Sequence, residues 1–333
     1  MENAATSPSK RNPTLSAGKQ NLALVPFGVS LAILIILLLI GPFVFYPVFL
    51  MKALCFALFA CAFNLLFGYV GLMSFGHAAF FGAGSYAAAW ATFALKSPPE
   101  LALLLSVVIG ATLSLVFGIL SIRLKGMAFA MVTLALAQMV YFFCLQASFT
   151  GGENGIINPS RGKLFGVFSL QSDMMSYTFV AVIFLLGFLT IVRVVHSPFG
   201  QILKAIRDNE ARVLSLGYNV PRYKLLAFVL SGTIAAVAGG TKAIVFGLAT
   251  LTDVHFGTSG DAVLMTLVGG IGTLFGPVVG ALVATSMWNY LSQFGAWVTF
   301  AQGAIFVACV LTFRRGIVGE LATYLKSSSG ERI

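Results

Sequence analysis

The sequence predicts an all-α polytopic membrane protein with about ten transmembrane helices and both termini in the cytoplasm. Hydrophobic residues make up 59% of the 333 residues and charged residues only 9%, whereas soluble domains carry about 25% charged residues. Several apolar stretches follow one another, each near the ~20 residues that cross a bilayer. A β-barrel is not expected, because runs such as residues 31–40 are apolar on every face and do not alternate.

Apolar patterning sets the order of the elements. A polar N-terminal tail, residues 1–21, is expected to be disordered. The apolar run after it is too long for a signal-peptide core, so it is expected to remain as the first span. A transmembrane domain, residues 22–313, precedes a cytoplasmic C-terminal tail, residues 314–333. The predicted spans are 22–41, 47–67, 76–95, 101–122, 126–149, 176–195, 224–248, 259–275, 277–294 and 297–313.

The distribution of cations predicts the orientation. With the N-terminus in the cytoplasm, fifteen of the twenty Lys and Arg residues face the cytoplasm and four face outside. The remaining one, Lys242, falls well inside a predicted span. This asymmetry follows the positive-inside rule, and an even number of spans then returns the C-terminus to the cytoplasm. The longest outer loop is residues 150–175, expected to be periplasmic. The net charge of +10 is therefore assigned to topology, and no nucleic-acid binding is expected.

Cysteine and histidine positions argue against a metal site and against an enzyme. All cysteines lie inside apolar runs without ligand spacing, so neither a disulfide nor a metal is expected. The histidines are scattered and form no catalytic cluster. The positions are Cys55, Cys61, Cys144 and Cys309, and His77, His196 and His255.

Residues 196–224 form a polar, charged island between two long apolar stretches. Apolar residues at 202, 203, 206, 213, 214 and 216 predict one or two short amphipathic helices across the membrane face. Gly217 is expected to close the second helix, and Pro221 follows it. A structured cytoplasmic segment at this place is where an energy-supplying partner would dock. Residues 196–224 are therefore called the coupling segment.

Three runs in the correct order resemble the inner-membrane permease subunits of branched-chain amino acid ABC importers, in particular the LivM type. They are FNLLFGYVGLMSFGHAAFFGAGSYAAA (63–89), SPFGQILKAIRDNEARVLSLGYNVPRYKLLAFVLSG (197–232) and VLMTLVGGIGTLFGPVVGA (263–281). The resemblance covers essentially residues 22–320. It implies an α-helical permease in the bacterial inner membrane, paired with a second homologous permease subunit, two ATP-binding subunits and a periplasmic substrate-binding protein.

The same resemblance implies that ATP and Mg²⁺ bind the partner ATPase subunits and that this chain binds no cofactor. The chain lacks the glycine-rich phosphate loop with its Gly-Lys-Ser/Thr ending. In the family, the matching part of the coupling segment contacts the ATPases. The residues carried over are Arg207, Asp208, Asn209, Glu210, Ala211, Arg212, Leu216 and Gly217.

One departure affects the placement of the coupling helix. ABC permeases of another type carry Glu-Ala-Ala, three residues and then Gly, whereas Glu210-Ala211-Arg212 is followed by Gly217 one residue later. The coupling helix is therefore placed by analogy of role. Replacing Glu210 or Arg207 is expected to uncouple transport from ATP hydrolysis without loss of membrane insertion.

The chain has two glycine-rich segments, 68–84 and 269–280, and residues 66–76 weakly resemble residues 267–276, about 200 residues later. Glycine-interrupted apolar segments at matching places in two halves indicate a transport pathway, although chance composition explains the echo equally well. Small residues also let helices approach closely. Packing is the prediction for Gly68, Gly71, Gly76, Gly272, Gly276 and Gly280. The last three either align on one helix face or surround a turn at 273–277 beside Pro277.

Isolated polar side chains within spans are candidates for lining the pathway, because an unsatisfied polar group in lipid is costly. Helix packing or helix capping is the alternative for each. The candidates are Asn64, Ser74, His77, Thr133, Gln138 and Lys242.

Lys242 has three alternative roles. It pairs with a buried acid, contacts a substrate carboxylate, or extends its ammonium group to a membrane surface. Asp261, at the edge of a span, is the acid considered for the first role. Asp253 and His255 are assigned to the outer end of the spans, where a binding protein would dock.

The resulting functional expectation is a permease that carries leucine, isoleucine or valine. Another amino acid, an amide or urea is the alternative within the same family. An ion-coupled secondary transporter is a weaker alternative, because such proteins place acids or histidine relays in their spans. The chain itself is not expected to be an enzyme.

Overall fold

The computed structural model describes residues 27–157, 162–164, 168–291, 300, 303–304, 306–307, 311 and 316–320. Twelve α-helices are assigned in that part of the chain. They are α1 Phe27–Val44, α2 Pro47–Val70, α3 His77–Phe93, α4 Pro99–Ser121, α5 Met127–Gln146, α6 Asp173–His196, α7 Pro198–Asp208, α8 Glu210–Ser215, α9 Val220–Phe246, α10 Leu251–Val254, α11 Phe256–Gly269 and α12 Gly276–Leu291.

Five of the described helices are long and apolar enough to cross a membrane, namely α2, α4, α5, α6 and α9. The protein is therefore a multi-pass helical membrane protein. Helices α1, α3, α11 and α12 coincide with four further predicted spans, but they are shorter or carry a shorter apolar stretch. The count of about ten crossings and the cytoplasmic termini remain predictions.

Several sequence predictions fall beyond the described residues. The N-terminal tail, residues 1–21, lies outside them entirely. Of the tenth span, 297–313, only single positions and short pieces are described, and of the C-terminal tail only residues 316–320.

Helices α2 and α9 occupy the centre of the bundle. The most apolar window of α2 is 94% buried and that of α9 is 72% buried, against 28% for α4 and α5 and 39% for α6. The outer helices expose large apolar side chains such as Leu104, Met139 and Leu186, as expected of surfaces that face lipid. The central helices pack against protein on nearly all sides.

Glycines allow the close crossing of α3 and α9. A Cβ atom on Gly84 of α3 would overlap the backbone of Ala236 on α9. A Cβ atom on Gly239 of α9 would likewise overlap the carbonyl group of Phe81 on α3. Small residues at such positions let helix backbones approach within van der Waals contact. The run of small residues in α9 therefore explains its central position.

The second glycine-rich segment is a turn between two helices. Helix α11 ends at Gly269 and α12 begins at Gly276, with a non-helical backbone between them. Of the two alternatives left open for Gly272, Gly276 and Gly280, alignment on one helix face is therefore wrong; a turn is present, at residues 270–275 where 273–277 was considered. Gly270, directly after α11, and Gly272 adopt φ +119° and +72°, backbone conformations that glycine tolerates.

Short strands join the connections at one end of the bundle. Strand β1, Ile156–Ile157, pairs antiparallel with β4, Leu248–Ala249, which follows α9 directly. Strand β2, Lys163–Leu164, pairs with β3, Phe168–Ser169. The described part of the 150–175 loop is thereby attached to the end of α9 opposite the coupling segment.

Candidate functional site

The coupling segment contains two short helices, α7 and α8, set end to end. Ser197 caps α7 by accepting a hydrogen bond from the backbone N–H of Gly200 at 3.3 Å. Asn209 caps α8 in the same way, accepting from the backbone N–H of Arg212 at 3.1 Å. Gly217 then takes φ +85° and ends the helical path. Capped ends of this kind give the segment a defined shape.

The two helices bury one face and expose another. Leu203, Ile206 and Val213 are buried against the bundle. Leu216 is 68% exposed and Leu214 48% exposed. Tyr218, after the turn at Gly217, is also exposed. A surface of this kind, apolar and outside the bundle, has the composition of a contact area for another protein.

Arg207 fastens α7 to the end of α2. Its Nη1 donates a hydrogen bond to the backbone carbonyl oxygen of Gly68, and its Nη2 lies 3.5 Å from Asp208 Oδ1. Lys204, one turn earlier, places its ammonium group 5.7 Å from the ring centroid of Tyr69. The coupling segment is thus joined to the central helix through Lys204 and through Arg207, which was predicted to contact a partner.

The two glycine-rich segments meet at this same end of the bundle. Asn64 donates from Nδ2 to the carbonyl oxygen of Thr273 at 2.8 Å, and its Oδ1 accepts from the backbone N–H of Gly272 at 3.0 Å. A Cβ atom on Gly68 would lie 2.7 Å from the same nitrogen of Gly272. Asn64, a candidate for the pathway, therefore has both polar atoms bonded within the fold.

Gly71 and Gly272 make room for Arg207. Gly71 has φ +81°, and a Cβ atom there would lie 2.9 Å from Arg207 Cγ. A Cβ atom on Gly272 would lie 3.2 Å from Arg207 Nη1. The structure thus brings together Asn64, Gly68, Gly71, Arg207 and Gly272, which we call the glycine junction.

Two further packing glycines, Gly276 and Gly280, lie in the contact between α11 and α12. A Cβ atom on Gly276 would lie 2.7 Å from the carbonyl oxygen of Gly270. A Cβ atom on Gly280 would overlap the carbonyl group of Met265 on α11. Both positions require a residue without a side chain at the present helix separation.

Glu210 connects three parts of the chain. Its Oε2 lies 3.1 Å from Lys224 Nζ at the start of α9, and its Oε1 lies 3.3 Å from Lys125 Nζ in the turn between α4 and α5. Burial acts to raise the pKa of the Glu210 carboxyl. The hydrogen bonds and positive charges of Lys224 and Lys125 outweigh burial and hold that pKa below its ordinary value.

The other coupling residues are more exposed and contact little of the bundle. Asp208 is 71% exposed in its side chain, and Asn209, Ala211 and Arg212 are also exposed. Together with Leu216 they form the part of the segment that faces away from the bundle.

His77 and Ser74 lie in the interior at the start of α3. His77 Nε2 is 2.8 Å from Ser231 Oγ on α9, and both residues are fully buried. The rings of Phe63 and Phe80 contact the His77 ring edge to face. Ser74 Oγ accepts from the backbone N–H of Gly76 at 3.2 Å. These contacts place both candidates between packed helices.

Thr133 and Gln138 occupy different environments on α5. Thr133 is buried and donates to the carbonyl oxygen of Ala130 in its own helix at 2.9 Å. A Cβ atom on Gly76 would lie 2.8 Å from the carbonyl oxygen of Thr133, so α3 and α5 touch there. Gln138 is partly exposed.

Lys242 pairs with Asp253, which sequence reasoning did not foresee. The Lys242 ammonium group contacts Asp253 Oδ1, and the two side chains are 12% and 5% exposed. Asp253 had been assigned to an outer loop, but the chain folds back after α9 as α10 and carries this carboxylate inward. The short spacing of eleven residues was the available signal.

Comparison with known proteins agrees with this architecture. The family model for the permease component of branched-chain amino acid transport systems matches residues 47–311. The high-affinity branched-chain amino acid transport permeases LivM of Salmonella typhimurium and Escherichia coli are each 25% identical, over 80% of this chain and 68% of theirs. A probable LivM permease of Methanocaldococcus jannaschii is 25% identical over 68% of this chain and 66% of its own.

No solved structure is significantly similar to the chain. The family match spans the central helices, the coupling segment and the glycine junction. The chain therefore belongs to the family of permease components of branched-chain amino acid transport systems.

Proposed function

We propose that this chain is one permease subunit of an ATP-driven importer that carries branched-chain amino acids across the bacterial inner membrane. A second homologous permease subunit, two ATP-binding subunits and a periplasmic substrate-binding protein complete the assembly. ATP and Mg²⁺ bind the ATPase subunits, and this chain performs no covalent chemistry. The similarity to LivM permeases over 80% of the chain supports the substrate class.

The coupling segment carries the proposal, because its inner face is bound to the bundle and its outer face is exposed. The inner face is attached to α2 through Arg207 and to α9 through Glu210. The outer face presents Leu214, Leu216 and Tyr218 to the surroundings. A partner bound to the outer face therefore moves a capped, anchored unit and, through it, the two central helices. Shifts of packed helices are a common form of conformational switching, and here such a shift would alternate the open side of the permease.

Reconstitution into proteoliposomes with the partner subunits tests the proposal. Uptake of L-leucine by the parental complex is expected to require ATP and to persist when a protonophore collapses the proton gradient. Uptake that is independent of ATP and is lost when the proton gradient collapses would instead identify an ion-coupled transporter.

A variant on the outer face tests the docking surface. Leu216→Ala is expected to lower ATP-driven uptake by about tenfold, the loss that corresponds to ~1.4 kcal/mol of contact energy. Leu186→Ala on α6 is the matched control, because Leu186 is 61% exposed on a helix that faces lipid. Equal uptake by the two variants would contradict the assignment of the ATPase contact.

A further inference from the structure

A long apolar groove lies between α3, α4 and α5 and has a volume of about 620 Å³. Along α4 it extends from Leu105 to Leu120, a distance of about 22 Å at the ~1.5 Å rise per residue of an α-helix. One leaflet contributes about 15 Å, half of the ~30 Å hydrocarbon core of a bilayer. The groove is therefore long enough to hold a whole acyl chain of a membrane lipid.

The groove has a buried floor and exposed edges. Ala87 on α3 and Phe117 on α4 line it and are buried. Val116 on α4 and Met139 on α5 also line it and are exposed, on helices whose outer surfaces face lipid. An apolar space of this size lacks packing contacts unless another group fills it. A lipid chain can enter it from the side.

A second pocket, of about 460 Å³, continues the groove at the end of the bundle opposite the coupling segment. The groove and this pocket share Trp90 and Phe149. The second pocket is the more polar of the two, and its lining includes Ser148, Gly151 and Gly155. Tryptophan is enriched where hydrocarbon meets the headgroup region. The joined cavity is therefore apolar along most of its length and more polar at one end, as an amphiphile is.

Tyr86 supplies a hydrogen-bonding group to the groove. It lines the groove one helical turn from Trp90 on α3. Tyr86 is 5% exposed, and its hydroxyl group has no hydrogen-bond partner among the described residues. A buried tyrosine hydroxyl usually has such a partner. A ligand that fills the groove and carries an acceptor atom near Trp90 would satisfy it.

We propose that the groove binds one acyl chain of a glycerolipid and that the Tyr86 hydroxyl donates a hydrogen bond to an ester carbonyl oxygen of that lipid. The ester groups of a glycerolipid lie between its headgroup and its chains, and Tyr86 lies near the junction of the polar pocket with the groove. No charged side chain lines either space in the described part of the chain. This favours a zwitterionic headgroup, as in phosphatidylethanolamine.

Photo-cross-linking of the complete complex tests the proposal. The complex is reconstituted in vesicles of phosphatidylethanolamine and phosphatidylglycerol that contain phosphatidylethanolamine with a diazirine in its acyl chain. Adducts on the groove residues are expected to exceed those on the exposed face of α6 by about tenfold. Ala83→Leu fills the groove from α3 and is expected to remove most of this excess. Ala135→Leu is the matched control, because Ala135 is exposed on α5 and is not part of the lining.

The role of the hydroxyl group has its own test. Tyr86→Phe is expected to lower labelling of the groove by about three- to tenfold, the effect of losing one neutral hydrogen bond. An ether-linked probe lacks the carbonyl oxygens and is expected to label the parental chain and Tyr86→Phe equally. This comparison uses the parental chain and so does not depend on how the variants fold.

Three results would overturn the proposal. The first is equal labelling of the groove and of α6. The second is an ester-linked probe that labels the parental chain, Ala83→Leu and Tyr86→Phe to the same extent. The third is a cross-link from Met139→Cys, on the edge of the groove, to the second permease subunit, which would assign the groove to a subunit interface.

Discussion

At the scale of single residues, one amide side chain determines how the glycine junction closes. Asn64 bonds both the N–H of Gly272 and the carbonyl of Thr273. These backbone groups lie in a turn where no helix satisfies them. A polar backbone group inside a membrane protein requires such a partner. Asn64 therefore has a structural role at this position.

Replacing Asn64 by leucine tests this role. Asn64→Leu has a similar size but makes neither bond, so it is expected to destabilise the permease by about 1–3 kcal/mol. The measurement is the thermal unfolding of the detergent-solubilised protein. Gln138→Leu on α5 serves as the control, since Gln138 is partly exposed. An unchanged melting temperature in Asn64→Leu would show that the turn does not depend on the amide.

Glu210 gives the coupling segment a dependence on pH. Its pKa in the folded protein is below the ordinary value of 4.5, so the ion pairs stabilise the segment above that value. Their contribution is lost as the pH falls from about 4.5 through the lowered pKa. Hydrogen exchange of residues 210–217 is expected to accelerate in that range. Glu210→Gln is expected to exchange faster at neutral pH and to lose this pH dependence; identical profiles would contradict the assignment.

The sequence could not identify the contact partners of Lys242, Asn64 and Arg207, because these contacts depend on the tertiary fold. Composition indicated that Lys242 needs a partner, but the choice of Asp253 depends on the chain folding back as α10. The partner of Asn64 is 208 residues away, and no spacing rule reaches that far. Arg207 was predicted to contact a partner protein. Its position in a cationic stretch of sequence does not reveal that its side chain turns toward Gly68.

At the scale of elements, helix positions were largely predictable and helix ends were less so. Apolar runs of sufficient length identify α2, α4, α5, α6 and α9 directly. The sequence did not decide whether a turn separates α11 from α12, because glycines spaced four apart are compatible with both one helix face and a turn. Tertiary hydrogen bonds from Asn64 decide in favour of the turn.

The crossing of α3 and α9 yields a prediction for two glycines. Gly84→Ala and Gly239→Ala would each place a methyl group against the backbone of the facing helix. Each is expected to cost about 1–3 kcal/mol through overpacking and to lower the melting temperature. Gly260→Ala on α11 is the control, because a Cβ atom there would have no neighbouring atom within 4 Å. Equal stability of all three variants would mean that the crossing has room to adjust.

At the scale of the whole molecule, the coupling segment and the 94–98 connection between α3 and α4 are predicted to lie on opposite sides of the membrane. Ser215 and Lys96 are exposed at these two places. Ser215→Cys is expected to react with an impermeant thiol reagent from the cytoplasmic side, and Lys96→Cys from the outer side. The parental chain gives the background, and Cys55, Cys61 and Cys144 are buried. Labelling of Ser215→Cys from outside would reverse the topology and remove the proposed ATPase contact.

The order of synthesis gives the Asn64 contact a further consequence. The ribosome completes α2 long before it reaches Gly272, which follows Asn64 by 208 residues. The amide is therefore already in the membrane when the turn between α11 and α12 emerges. Helices α11 and α12 are thus expected to pack against an Asn64 amide that is already in place. Folding of this half of the permease then depends on correct insertion of the earlier half.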